Sequence, residues 1–230
     1  IHWEIMQYLI DNDLAKNVWI RYNSNFSRAK YKHWDLKNML PHFKMVQMCA
    51  SIDGTGDIVE YVRHGIKWDS WIANFKDYLF LNKQFGQYGI AFDLTITTPG
   101  LFSLKELFDL SLELDVHTLI KTTFAFDSSI MMCPQVLPRD LFDEVIDDVL
   151  EYIRPKILDN PKYEYWITCL EDLKKRQVFS EQYPNWKDGL KLGKERLAKT
   201  DKFRRNENVL ENIYLNNNKK VYNWWKSNLI

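Results

Sequence analysis

The chain has 230 residues, 46% of them hydrophobic and 15% aromatic, a composition that can bury a sizeable core and excludes a disordered protein. No stretch approaches about 18 uninterrupted apolar residues, so no bilayer-spanning helix is expected. The net charge is zero, yet residues 1–150 carry 14 Lys/Arg against 20 Asp/Glu while residues 151–230 carry 17 against 11, so any acidic partner is expected at the basic C-terminal part.

In chain order, Trp3, Met6, Leu9, Ile10 and Leu14 recur at helical spacing, which predicts an amphipathic helix in place of a signal peptide. The first residue is Ile1, as expected of a chain cut from a longer one. VWIRYNSN alternates as a first strand, and HWDLKNML predicts a short helix closed by Pro41. MVQMCASI reads as a second strand that runs into Asp53-Gly54-Thr55-Gly56. KWDSWIANFKDYLFLN (67–82) predicts a strong amphipathic helix, and GIAFDLTITT a third strand ended by Pro99-Gly100. Ser103 with Glu106 three residues on has the pattern of a capping box opening the next helix. HTLIKTTFAF is a fourth strand, followed by the helical PRDLFDEVIDDVLEYI.

Strands alternating with helices over about 150 residues predict an α/β fold built on a parallel sheet. After Pro155 the pattern turns helical and rich in lysine and tryptophan. The expected organisation is therefore a parallel β/α part over 1–155 and a helical, basic extension over 156–230. That basic run reads as a solvated helix face or a dock for an acidic partner surface in preference to a nucleic-acid site. Trp224 and Trp225 read as anchors of the C-terminal segment.

Side chains on a strand alternate between faces. One face collects Trp19, Arg21 and Asn23 on the first strand, Gln47, Cys49, Ser51 and Asp53 on the second, and Asp93, Thr95 and Thr97 on the third. Buried parallel sheets are usually apolar on both faces. A polar face instead predicts a curved sheet around a wet or ligand-filled hollow, or a sheet with one solvated side. Ligands of parallel sheets sit beyond the carboxyl ends of the strands. The stretches there are NSNFS (23–27), SIDGTGD (51–57), TTPG (97–100) and FDSS (126–129). Asn23, Asn25, Ser51 and Asp53 supply donors and acceptors suited to ribose hydroxyls, an amine or a carboxylate, and Gly54 and Gly56 would let backbone approach a ligand. Alone, the DGTGD turn fits a structural role as well, since it lacks the frames of a phosphate loop.

VWIRYNSNFS together with VQMCASIDGTGDIVEYVRHGIKWDSWIANF resembles the middle of radical S-adenosylmethionine (radical SAM) enzymes, in the subgroup with a twitch-type extension related to SPASM proteins. A looser likeness continues through ITTPGLFSLKELFDLSLEL to YEYWITCLEDLKKRQVFSEQYPNW. The resemblance implies an incomplete parallel (β/α) barrel of at least four strands with a C-terminal helical extension. It implies S-adenosylmethionine and a [4Fe–4S] cluster as cofactors, radical chemistry on an unknown substrate, and an electron donor as a partner. It places Asn23 or Asn25 near the cofactor, Ser51 and Asp53 at its ribose or methionyl part, and Arg63 on its carboxylate. The family's CxxxCxxC loop is absent from these residues, so the resemblance puts the cluster ligands upstream of Ile1.

Cys49, Cys133 and Cys169 are far apart and form no metal spacing, which predicts buried thiols, no metal site in this chain and a reducing, cytoplasmic compartment. Two rivals stand beside the enzymatic reading. One is a non-catalytic degenerate barrel that acts as a binding or interaction protein. The other is a metal-free hydrolase using Asp53 and Asp93.

Overall fold

A computed structural model describes residues 1–86, 89–123 and 130–227. The first half contains α1 (His2–Asp11), β1 (Trp19–Ser24), β2 (Lys30–Tyr31), β3 (Trp34–Asp35), α2 (Leu36–Met39), β4 (Met45–Ile52) and α3 (Gly56–Val62). There follow α4 (Trp68–Tyr78), α5 (Phe80–Phe85), β5 (Ile90–Ile96), α6 (Leu104–Glu113) and β6 (His117–Thr122). The last part is helical: α7 (Arg139–Leu158), α8 (Glu164–Lys174), α9 (Phe179–Gln182), α10 (Trp186–Arg204), α11 (Val209–Asn217) and α12 (Lys219–Ser227). Residues 124–126 of the expected fourth strand and the polar stretch 126–129 lie outside the described residues.

The long strands form one parallel sheet in the order β1-β4-β5-β6, so spatial order follows chain order with no reversal. Asn23 stands opposite Cys49, and Ser51 opposite Asp93. Helices joining successive strands are what parallel pairing requires, because a tight turn cannot return the chain to the same end.

By contacts the chain divides into two compact units. The sheet unit comprises Ile1–Ile52, Ile66–Leu94 and Ser111–Leu119. Its core lies against one sheet face, where Val46, Met48, Ala50, Ile52, Phe92 and Leu94 are buried. Trp71, Phe75 and Tyr78 recur along one side of α4 and are buried too. The Trp71 and Phe75 rings stack at 5.3 Å, and Phe75 lies 4.7 Å from Phe92.

The opposite face is fully exposed at its edge only. Trp19, Arg21 and Asn23 of β1 are exposed, whereas Cys49, Ala91 and Asp93 are buried and Ser51 is half-buried. The hydrophilic face read from the sequence is thus open along β1, half-covered at Ser51 and closed at Cys49, Ala91 and Asp93.

The helical unit comprises Asp53–Gly65, Thr95–Leu110 and Ile120–Ile230. There α7 carries Leu141, Phe142, Val145, Ile146, Val149, Leu150 and Ile153 on its buried side. Phe108 meets Trp166 of α8 edge-on at 5.4 Å. The expected boundary at 155/156 falls inside α7, which passes through Pro155 and ends at Leu158. A proline so near the end removes one intrahelical bond, while Ile153 and Ile157 on either side stay buried and hold the last turn.

Two local expectations are corrected. Over HWDLKNML, Trp34 and Asp35 pair with Lys30 and Tyr31 as a short antiparallel ribbon, and Asp35 then caps α2 by accepting from the Lys37 N–H at 2.9 Å. Aspartate is a strong helix cap, so the helix starts after it. The Ser103–Glu106 capping box does not form. Ser103 ends a 3-10 turn (Pro99–Ser103) and donates to the Gly100 carbonyl at 3.1 Å, while Glu106 accepts from the Thr55 hydroxyl. Among the described residues no helix is long and apolar enough to cross a membrane.

Candidate functional site

In the sheet unit the candidate residues stand at the carboxyl ends of β1 and β4. Beyond β1 the loop is fixed by Phe26, which adopts a left-handed backbone (φ 54°) and is buried. Its ring lies 5.7 Å from Phe75, and its carbonyl accepts from the Asn74 side chain at 3.0 Å. A non-glycine residue at positive φ is unfavourable unless its surroundings hold it. Here burial among aromatic rings supplies the hold, and Asn23 and Asn25 remain at the surface.

The two asparagines differ in what they offer. The Asn25 Oδ1 already accepts from the Ser27 N–H at 3.2 Å and from its hydroxyl at 2.8 Å, closing a local turn. Asn23 is at the register of Cys49, so their side chains share one sheet face. Ser51 and Asp93, two residues further along β4 and opposite on β5, continue that face. A half-buried hydroxyl beside a buried carboxylate, with an exposed amide on the next strand, can both donate to and accept from a polyhydroxyl ligand.

In the helical unit Asp53 and Arg63 come together. Arg63 Nε and Nη2 donate to the two oxygens of the Asp53 carboxylate, the latter at 3.1 Å. Asp53 is 5% exposed, and the Arg63 side chain 27%. The fork-on-carboxylate geometry makes this a strong, oriented pair. It also neutralises the charge that Arg63 would bring to a ligand carboxylate.

Packing explains the first glycine of the DGTGD turn, and a positive φ of 50° the second. A Cβ on Gly54 would stand 2.6 Å from Ile58 Cγ2 and 2.8 Å from Ser103 Oγ. One on Gly100 would stand 2.4 Å from the Asp53 carbonyl oxygen. The DGTGD and TTPG turns therefore clasp each other, with Thr55–Glu106 as a polar tie. The space read from the sequence as room for a ligand is filled at Gly54 by the protein itself.

The chain's own thiols do not suit an iron–sulfur cluster. Cys49 and Cys133 are buried, and the Cys133 thiol points at the Thr123 carbonyl (2.9 Å) and Gln135 Oε1 (3.1 Å). No group of three His, Cys, Asp or Glu able to hold a metal ion occurs among the described residues. No family model, curated protein or solved structure matches this chain.

The sequence reading passed over Lys194. It is buried in α10, donates to the Trp225 carbonyl at 2.8 Å and lies 4.2 Å from the centre of the Trp225 ring. Trp225 in turn packs 5.6 Å from Tyr214, as an anchor of the C-terminal helix would. Lys194 and Trp225 border a cleft of about 370 Å³ that also carries Glu195, Asp201, Glu207 and Glu211.

Burial lowers the Lys194 pKa from 10.5 to about 8. The unfolded chain therefore binds more protons between about pH 8 and 10.5, and stability rises with pH across that window. Lys194→Met is expected to remove this rise, on the order of 1–3 kcal/mol. Urea unfolding of both proteins at pH 7.5 and pH 10, compared as a difference of differences, measures it. Equal slopes would show that Lys194 titrates normally.

Proposed function

We propose that the chain is the C-terminal portion of a radical SAM enzyme, a partial parallel (β/α) barrel that binds S-adenosylmethionine at the carboxyl edge of its sheet and acts on an unknown substrate. The sequential order β1-β4-β5-β6, with Asn23 and Ser51 at the ends of β1 and β4 and Asp93 continuing their face on β5, is the observation that carries this reading. A doubly wound sheet would reverse its strand order at the ligand crevice, whereas a barrel keeps adding strands in sequence.

These residues suit the nucleoside half of the cofactor. Ribose hydroxyls need partners that both donate and accept, which Ser51 and Asn23 provide. When bound beside a reduced cluster, S-adenosylmethionine supplies the radical chemistry, and the protein contributes binding and orientation. The cluster requires cysteines from outside these residues, since Cys49, Cys133 and Cys169 do not suit it.

Isothermal titration of S-adenosylmethionine into the chain tests the reading. Binding is expected, and Ser51→Ala should weaken it roughly five- to tenfold, the loss of one hydrogen bond of about 1 kcal/mol. Equal affinity of the variant would remove Ser51 from the site.

The alternative, a degenerate barrel kept as a binding or interaction protein, is favoured by the closure of Arg63 on Asp53. No heat of binding with S-adenosylmethionine would select that reading over the enzymatic one.

A further inference from the structure

In the helical unit, Arg196, Thr200 and Arg204 stand four residues apart along α10 and so share one helix face. They border a cleft of about 230 Å³ whose other walls include Tyr61, Met131 and Met132. The cleft exists because α10 comes very close to the chain before α7. A Cβ on Gly193 would lie 2.3 Å from Ile130 Cγ2 and 3.2 Å from Met131 Cγ.

Three other arginines of this unit are committed to carboxylates: Arg63 to Asp53, Arg139 to Asp143 and Glu181, Arg154 to Glu171. Neither Arg196 nor Arg204 forms an ion pair among the described residues, although Arg204 feels the charge of Asp201. The Asp201 carboxylate, three residues before Arg204, accepts from the Tyr61 hydroxyl at 3.1 Å. Two guanidinium forks with open donors therefore border one concavity with no carboxylate among its described lining residues.

We propose that this cleft binds a small phosphate monoester, its dianion held by Arg196 and Arg204; the Thr200 hydroxyl between them is spent on the Arg196 carbonyl at 3.0 Å. Planar forks with several N–H groups match phosphate oxygens better than a lysine point charge does. Eight helical residues span about 12 Å, and two arginine side chains can close on a tetrahedral group across that distance. The volume falls below the roughly 300–1,000 Å³ usual for drug-sized ligands, so a phosphoryl group on a short carbon chain fits and a nucleotide does not. The methionines and Val62 give that carbon chain an apolar wall. This site is independent of the nucleoside-binding reading above.

Titration calorimetry with glycerol 3-phosphate, against glycerol at matched ionic strength, decides the matter. Glycerol 3-phosphate is expected to bind and glycerol to be silent. Arg196→Ala and Arg204→Ala should each weaken the ester at least tenfold. Arg204→Lys, which keeps the charge and loses the fork, should fall between wild type and Arg204→Ala. Lys199→Ala, an exposed cation on the same helix, should leave affinity unchanged. Absence of binding by wild type, equal binding of glycerol, or unaltered affinity in the Arg196/Arg204 double alanine variant would each overturn the proposal.

Discussion

Phe75→Ala is expected to lower the stability of the sheet unit by about 4 kcal/mol, the usual cost of emptying a buried aromatic site. Phe75 is fully buried and touches rings on three sides: Trp71 at 5.3 Å, Phe92 at 4.7 Å and Phe26 at 5.7 Å. The hole cannot close cheaply, because its neighbours are large rings fixed to a helix, a strand and a tight loop. A second consequence is local. Phe26 holds its positive φ only while it is gripped by this cluster, so the variant should also loosen residues 23–27 and the asparagines they carry. Urea denaturation gives the first effect, and amide exchange of the Phe26–Ser27 segment the second. A loss under about 1 kcal/mol would mean that the cluster is not the core of this unit.

Gly100→Ala should cost about 2–3 kcal/mol, near the upper end of what overpacking a tight site does. The added methyl would press on the Asp53 carbonyl oxygen at 2.4 Å and on Thr97 Oγ1 at 2.8 Å. The first of these is backbone, which cannot swing aside as the tip of a long side chain can. Gly65→Ala makes a useful comparison, since a Cβ there meets nothing within 4 Å and only its positive φ of 92° resists substitution. That strain is worth about 1 kcal/mol. Thermal unfolding should therefore rank Gly100→Ala well below Gly65→Ala. The reverse order would mean that the two turns do not clasp.

The strands were legible where their pattern was local. MVQMCASI gave Met45–Ile52 to the residue because alternation runs unbroken between a lysine and an Asp-Gly turn. Parallel pairing followed from helices lying between strands, and the structure agrees. What could not be read was anything decided by a partner far along the chain. Glu106 has the spacing of a capping box, yet its partner is Thr55, 51 residues earlier. The polar face of β4 and β5 looks open in the sequence, but burial depends on what covers it, and Asp93 is only 5% exposed.

The candidate site divides the same way. Sequence placed Asn23, Asn25, Ser51 and Asp53 at strand ends, and they are found there. The resemblance places Arg63 on a ligand carboxylate, and in the structure its guanidinium grips the protein's own Asp53. The four-residue rhythm of Arg196, Thr200 and Arg204 was visible, but on a basic helix it is indistinguishable from a solvated face until a cleft is seen beneath it.

Hydrogen exchange of the chain with and without S-adenosylmethionine probes the proposed ligand edge most directly. Slowed exchange concentrated in residues 23–27 and 49–52 is the predicted result. Unchanged exchange there at saturating ligand, or protection confined to the C-terminal helices, would contradict a cofactor site at the carboxyl ends of β1 and β4.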